Sequence, residues 1–134
     1  MAKLDEIEGI GKTYAARLSA IGIQNTNDLI EKGATPTGRK EIAEKSGISE
    51  KLILEWVNHV DLFRIKGIGS EYADLLECAG VDTVPELATR KPENLVARLV
   101  EVNEQKKLVR RVPVLSEVTE WVEQAKKLPR VITY

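Results

Sequence analysis

The chain has 134 residues, 43% of them hydrophobic and 31% charged, enough for one domain or for two small halves sharing an interface. Its 20 basic and 21 acidic residues leave a net charge of −1, evenly divided: residues 1–64 hold 9 basic and 10 acidic side chains, residues 65–134 hold 11 of each. Neither half is the strongly basic module of an independent nucleic-acid binder, no apolar run approaches membrane-spanning length, and one cysteine permits no internal disulfide.

In chain order, Met1-Ala2-Lys3-Leu4-Asp5-Glu6 has acids where a signal peptide needs an apolar run, so a cytoplasmic protein is expected. Ile7-Glu8-Gly9-Ile10-Gly11 reads as a turn opening a helix, with Tyr14, Leu18 and Ile21 on one stripe and Ala15 beside them. Gly22 ends that helix in the left-handed position. Asn25-Thr26-Asn27-Asp28 opens a short helix that Gly33 closes. Thr35-Pro36 caps and starts another, running to about Ser46. After Gly47, Ser49 caps a longer helix with Ile53, Trp56, Val57, Val60 and Phe63 on a shared face.

The second half follows the same scheme. Ile65-Lys66-Gly67-Ile68-Gly69 opens a helix, and Thr83-Val84-Pro85-Glu86 fits a capping box. Pro92 starts a helix with Leu95, Val96, Leu99 and Val100 inward; Asn103 is expected to cap a further helix, broken by Pro113. Ser116 to Leu128 is amphipathic, with Val118, Trp121, Val122, Ala125 and Leu128 on one side and Glu123 spaced for a pair with Lys127. No segment alternates with the period of a strand, and only Arg130–Tyr134 is extended in character. The expected fold is therefore all-α: a single compact domain over residues 1–134, built from two pseudo-equivalent halves, about 4–62 and 63–128, with a short tail over 129–134.

The two turns are copies. At a constant offset of 58, nine of the 24 positions from 7 to 30 are identical, among them both glycines, Tyr14 and Tyr72, and Leu18 and Leu76. A Gly-x-Gly turn at a helix start presents unpaired N–H groups, which suits anions and above all phosphates. Lys12 adds a positive charge at the first helix and Lys66 lies within the second turn, whereas Glu8 lies inside the first and Ser70-Glu71 follows the second. Gly11 and Gly69 are expected to hold conformations that only glycine adopts without strain.

Apolar-x-Gly-apolar-Gly followed by a helix with Ala and Leu, then Gly-Ile or Gly-Val, resembles the helix-hairpin-helix motif of sequence-nonspecific DNA-binding proteins. The whole chain resembles a family of small proteins classed only as a domain of unknown function and related to that motif. The second likeness rests on Gly33-Ala34-Thr35-Pro36, Gly47-Ile48-Ser49, Trp56-Val57-Asn58, Arg110-Arg111-Val112-Pro113 and Leu128-Pro129-Arg130-Val131-Ile132-Thr133-Tyr134. The first implies weak backbone contact with DNA through Gly9, Ile10, Gly11 and Lys12 and through Lys66, Gly67, Ile68, Gly69 and Ser70. The second adds no activity, and the lysine and aspartate that base-excision glycosylases place after their hairpin have no convincing counterpart here.

Two further segments carry charge or pattern. Ile42-Ala43, Gly47-Ile48, Ile53 and Trp56 are spaced as a helix-turn-helix, but its second helix would present Ser49, Glu50, Lys51, Glu55 and Asn58, with two acids toward phosphate and no arginine to read guanine. Lys106, Lys107, Arg110 and Arg111, if helical, would span an arc of roughly 140° opposite Leu108, Val109 and Val112, a basic face suited to polyanion contact. Nothing points to an enzyme. His59 is the only histidine, and Cys78, in the slot of Ala20, reads as a small buried apolar residue. No metal site, cofactor or membrane partner is expected. DNA or another nucleic acid is the leading partner, and a protein partner for structural hairpins is the alternative.

Overall fold

Among residues 3–7 and 9–134, which the computed structural model describes, one 3₁₀ turn (Leu4–Glu6) precedes eight helices. These are α1 (Lys12–Ala20), α2 (Thr26–Gly33), α3 (Pro36–Ser46), α4 (Glu50–Phe63), α5 (Ser70–Cys78), α6 (Val84–Ala88), α7 (Pro92–Lys106) and α8 (Leu115–Lys127). The readings placed on Met1, Ala2 and Glu8 lie outside the described residues. The fold is all-α; among the described residues the only β-pairing is an isolated antiparallel bridge of Lys3 with Asn25. No described helix is long and apolar enough to cross a membrane.

Short polar side chains set the helix starts. Asn25 accepts the Asp28 N–H at 2.9 Å, Thr35 that of Gly38 at 3.0 Å, and Thr83 that of Glu86 at 3.4 Å. Pro36 and Pro92 occupy first-turn positions, where their missing N–H costs nothing. At the other end of α3, Gly47 stops the helix at φ +75°.

Chain contacts divide the molecule into two units: residues 1–61 with 131–134, and residues 62–130. In the first, α3 packs on α1 and α2 around buried Leu18, Ile23, Leu29, Ile42, Ile53 and Val57. Gly33 serves a close approach there, since a Cβ on it would lie 2.6 Å from Val57 Cγ2. The extended tail completes this unit. Ile132 is buried, the Thr133 N–H donates to Ala34 O at 2.8 Å, and the buried Arg39 guanidinium donates to Gly33 O (2.9 Å) and Thr133 O (2.8 Å). Tyr134 lies over Arg39 at 5.7 Å and donates its hydroxyl to Asn58 Oδ1 at 3.3 Å. A buried guanidinium is thereby solvated by carbonyls and a ring face.

In the second unit α8 packs on α6 and α7, and α7 on α5, around Leu75, Leu76, Leu87, Leu99, Val118 and Val122. Arg64 closes the unit by donating to Pro129 O at 2.7 Å. Four expectations fail here. Val100 is exposed, because the buried stripe Leu95, Leu99 and Val102 leaves it about 130° around the helix from the stripe's centre. Asn103 caps no new helix: it lies inside α7, and its amide clamps Val109, accepting from N at 3.0 Å and donating to O at 3.1 Å. Cys78 is half-buried rather than buried. Burial, reinforced by the Asp74 carboxylate, pushes its thiol above the ordinary value. On α8, Glu123 pairs with Lys126 at 3.6 Å, not with the expected Lys127.

Candidate nucleic-acid interface

The two Gly-x-Gly turns share several contacts. In each, an isoleucine carbonyl accepts from an isoleucine three residues on, Ile7 from Ile10 and Ile65 from Ile68, both at 3.1 Å. Ile10 and Ile68 are buried, so these side chains anchor the turns from beneath. The first glycine of each turn has positive φ, +92° at Gly9 and +103° at Gly67, where a Cβ would be strained. A tryptophan edge fills the side-chain space: a Cβ on Gly9 would lie 3.8 Å from Trp56 Nε1, and one on Gly67 2.9 Å from Trp121 Nε1. Tyr14 packs on Trp56 with ring centroids 5.2 Å apart, Tyr72 on Trp121 at 5.4 Å. Past the far end of the helix that each turn opens, a cation reaches back to a glycine carbonyl, Lys32 to Gly22 O at 3.3 Å and Arg90 to Gly80 O at 3.0 Å.

The second glycine of each turn is different and corrects the expectation of strain. Gly11 and Gly69 have φ −85° and −101°, ordinary for any residue, and a Cβ on either would meet nothing within 4 Å. Both are N-cap residues with no side-chain cap bond, so the first-turn amides of α1 and α5 receive no acceptor from the cap. Lys12 follows Gly11 as the first residue of α1 and is exposed. In the second turn Gln124 pins Lys66, accepting from its N–H at 2.9 Å and donating to its carbonyl at 3.2 Å. Gly67, Gly69, Ser70, Glu71 and Tyr72 line an open cavity of about 360 Å³, with the exposed Glu71 carboxylate on its rim.

The expected basic helical face does not form. Of its four cations only Lys106 is helical; Lys107 takes φ +50° at the end of α7, and the chain then runs irregularly to Val114. The Asn103 clamp on Val109 and the burial of Val109 and Pro113 turn the chain away from the helical path. The cations consequently part company. Lys106 acts electrostatically on Cys78, at the far end of α5 from the turn. Arg111 is tied to the turn end, where the Tyr72 hydroxyl donates to its carbonyl at 2.9 Å. Its guanidinium grips Glu117 with two bonds of 2.7 and 3.0 Å, and Glu117 also accepts the Val114 N–H at 3.2 Å. These bonds hold the Glu117 carboxyl far below its ordinary range, at about 2. Arg110 is exposed.

The helix-turn-helix spacing does yield two helices joined at Gly47, with Ile48 buried between them. Asn58 is buried and bonded to Tyr134, so it is withdrawn from any reading face. Two groups escaped the sequence reading. Arg90, Lys91, Asn94 and Arg98 line a cavity of about 240 Å³ at the start of α7, which the run Arg90-Lys91-Pro92 with Arg98 two turns on could have signalled. Trp56 and Trp121 are 65 residues apart, not 58, and so drop out of a fixed-offset comparison.

Residues 8–128 match the family described as Domain of unknown function (DUF4332), and the chain belongs to that family. Neither a curated protein nor a solved structure gives a match.

Proposed function

We propose that the protein contacts the sugar-phosphate backbone of nucleic acid, weakly and without sequence preference, through its two Gly-x-Gly turns, each the hairpin of a helix-hairpin-helix unit. The observation that carries this reading is the pair Gly11 and Gly69. Neither backbone conformation nor packing calls for glycine at either position. What a bare Cα provides there is access, letting a phosphate oxygen approach the first-turn amides of α1 or α5. Lys12 supplies charge at the first turn, and Ile10 and Ile68 hold the turns in place from the core. Matched contacts around the two turns support reading the units as two copies of one device.

The charge balance limits the strength of such contact. Few phosphates are neutralised, so the log–log salt slope should be shallow, about −2 to −4. Titration of duplex, single-stranded and branched DNA at about 50 and 200 mM salt tests this. Gly11→Ala and Gly69→Ala should weaken binding while leaving melting nearly unchanged; absence of wild-type binding at the lower salt would discard the proposal. In that case Glu71 at the rim and Arg111 already bound to Glu117 favour the same turns as a surface for a protein partner.

A further inference from the structure

The first turn carries its own cation, Lys12, as the opening residue of its helix; at the same place the second turn has Ser70 and then Glu71. Lys66 lies within the second turn itself, and a further cation is brought to that turn from elsewhere in the chain. Tyr72 lines the cavity with Gly67 and Gly69, and its hydroxyl holds the backbone of Arg111. The Arg111 side chain is 62% exposed, so a phosphate can reach it without unfolding anything. Its end-on pair of N–H groups, however, is already engaged by the two oxygens of Glu117, and the carboxylate charge offsets the pull of the guanidinium on a phosphate at its remaining N–H groups. Glu117 cannot swing freely aside, because the Val114 N–H also holds it, at the start of α8.

We infer that Glu117 is an internal competitor for Arg111: it occupies the arginine that would otherwise serve the second turn and thereby sets how tightly this turn holds a phosphate backbone. This rests on the nucleic-acid reading above. Removing the carboxylate charge frees one cation at the turn and adds about one phosphate contact.

The variant Glu117→Gln tests it, since glutamine retains an oxygen that can accept the Val114 N–H but is a poor partner for the guanidinium. Glu120→Gln, an exposed position on the same helix, removes an equal charge away from Arg111 and serves as the control. Against a duplex oligonucleotide at about 50 mM salt, Glu117→Gln should bind about three- to tenfold tighter, with a salt slope steeper by about 0.9. Glu120→Gln should change affinity by less than about twofold. Arg111→Gln should matter little alone, because the side chain is withheld, yet should abolish the gain in the Glu117→Gln background. If the wild type binds and Glu117→Gln binds no tighter than the control, competition is overturned while the binding role stands. If Arg111→Gln alone, which leaves Glu117 to accept from Val114, weakens binding threefold or more, Arg111 already serves phosphate and the inference is likewise overturned. If neither the wild type nor Glu117→Gln binds, both readings fall.

Discussion

The indole N–H of Trp121 points at the place where Gly67 would carry a side chain. A Cβ there would lie 2.9 Å from Nε1 and almost equally far from the two flanking ring carbons, 3.8 and 3.9 Å from Cδ1 and Cε2, which is the direction of the N–H bond. The turn glycine is thus fixed twice over, by φ +103° and by an aromatic edge. At Gly9 the edge of Trp56 stands back at 3.8 Å, an ordinary contact, and only φ forbids a side chain.

The four turn glycines should therefore separate under substitution by alanine. Gly9→Ala should cost about 1–2 kcal/mol from its backbone conformation alone. Gly67→Ala should cost more, by a further 1–3 kcal/mol or so, because the indole must move. At Gly11 and Gly69 alanine loses a little as an N-cap and gains a little by restricting the unfolded chain, about 0.5–1 kcal/mol each way, leaving stability close to unchanged. Thermal or urea melts of the four variants check the order; equal losses at all four positions would refute it.

Gly33 and Val57 should behave as a size-matched pair. Gly33→Ala alone overpacks the first unit and should lose about 1–3 kcal/mol. Adding Val57→Ala removes the methyl group in the way, so the double variant should be more stable than the sum of the two single losses predicts. Strict additivity in a double-mutant cycle would mean the 2.6 Å approach is absorbed elsewhere.

Arg39 and the tail should form one energetic unit. Removing the guanidinium leaves the carbonyls of Gly33 and Thr133 without their donors, a loss of about 1.5–3 kcal/mol for bonds to a charged group. Deleting residues 131–134 should destabilise the same unit, and Arg39→Ala should then cost clearly less than in the intact chain. Lysine at position 39 should rescue little, because one ammonium does not reproduce the fork. An undiminished cost in the shortened chain would show that Arg39 acts independently of the tail.

Glu117 should titrate far from ordinary glutamates. Its carboxyl is depressed to about 2 by the bonds from Arg111 and Val114, against an ordinary 4.3 or so. A depressed folded-state value means the pair's contribution is present above the unfolded value and is lost as pH falls through about 2. Side-chain carbon NMR should find Glu117 still ionised at pH 3.5 and shifted upward in Arg111→Gln. A wild-type midpoint in the ordinary range would show that the pair does not persist in solution.

Helix existence was legible in the sequence because caps and periodicity agree: Asn25, Thr35 and Thr83 all cap where short polar residues precede an apolar stripe. Legibility ended where a side chain pairs with distant backbone. Nothing local distinguishes Asn103 as a clamp on Val109 from Asn103 as a cap, and that one choice converts a basic helical face into an irregular segment. The glycines were read as a set because sequence does not carry φ; Gly9 and Gly67 have positive φ, with Gly67 alone tightly backed, and Gly11 and Gly69 are ordinary and open. The tryptophans beneath the turns were seen only as core residues, since the residues between turn and tryptophan differ in number between the halves.

The bond from Thr133 to Ala34 joins positions 99 apart, whereas every residue of the second unit lies within the continuous run 62–130. Closing so long a loop is entropically costly and slow compared with the local helix contacts of the second unit. On a growing chain, the first unit begins first and must wait for residues 131–134 to be translated before they can dock. Pulsed hydrogen exchange during refolding should accordingly protect the Leu99 amide of α7 before that of Thr133, and the reverse order would contradict it. In the order of assembly, the unit that starts second is the first that can be finished.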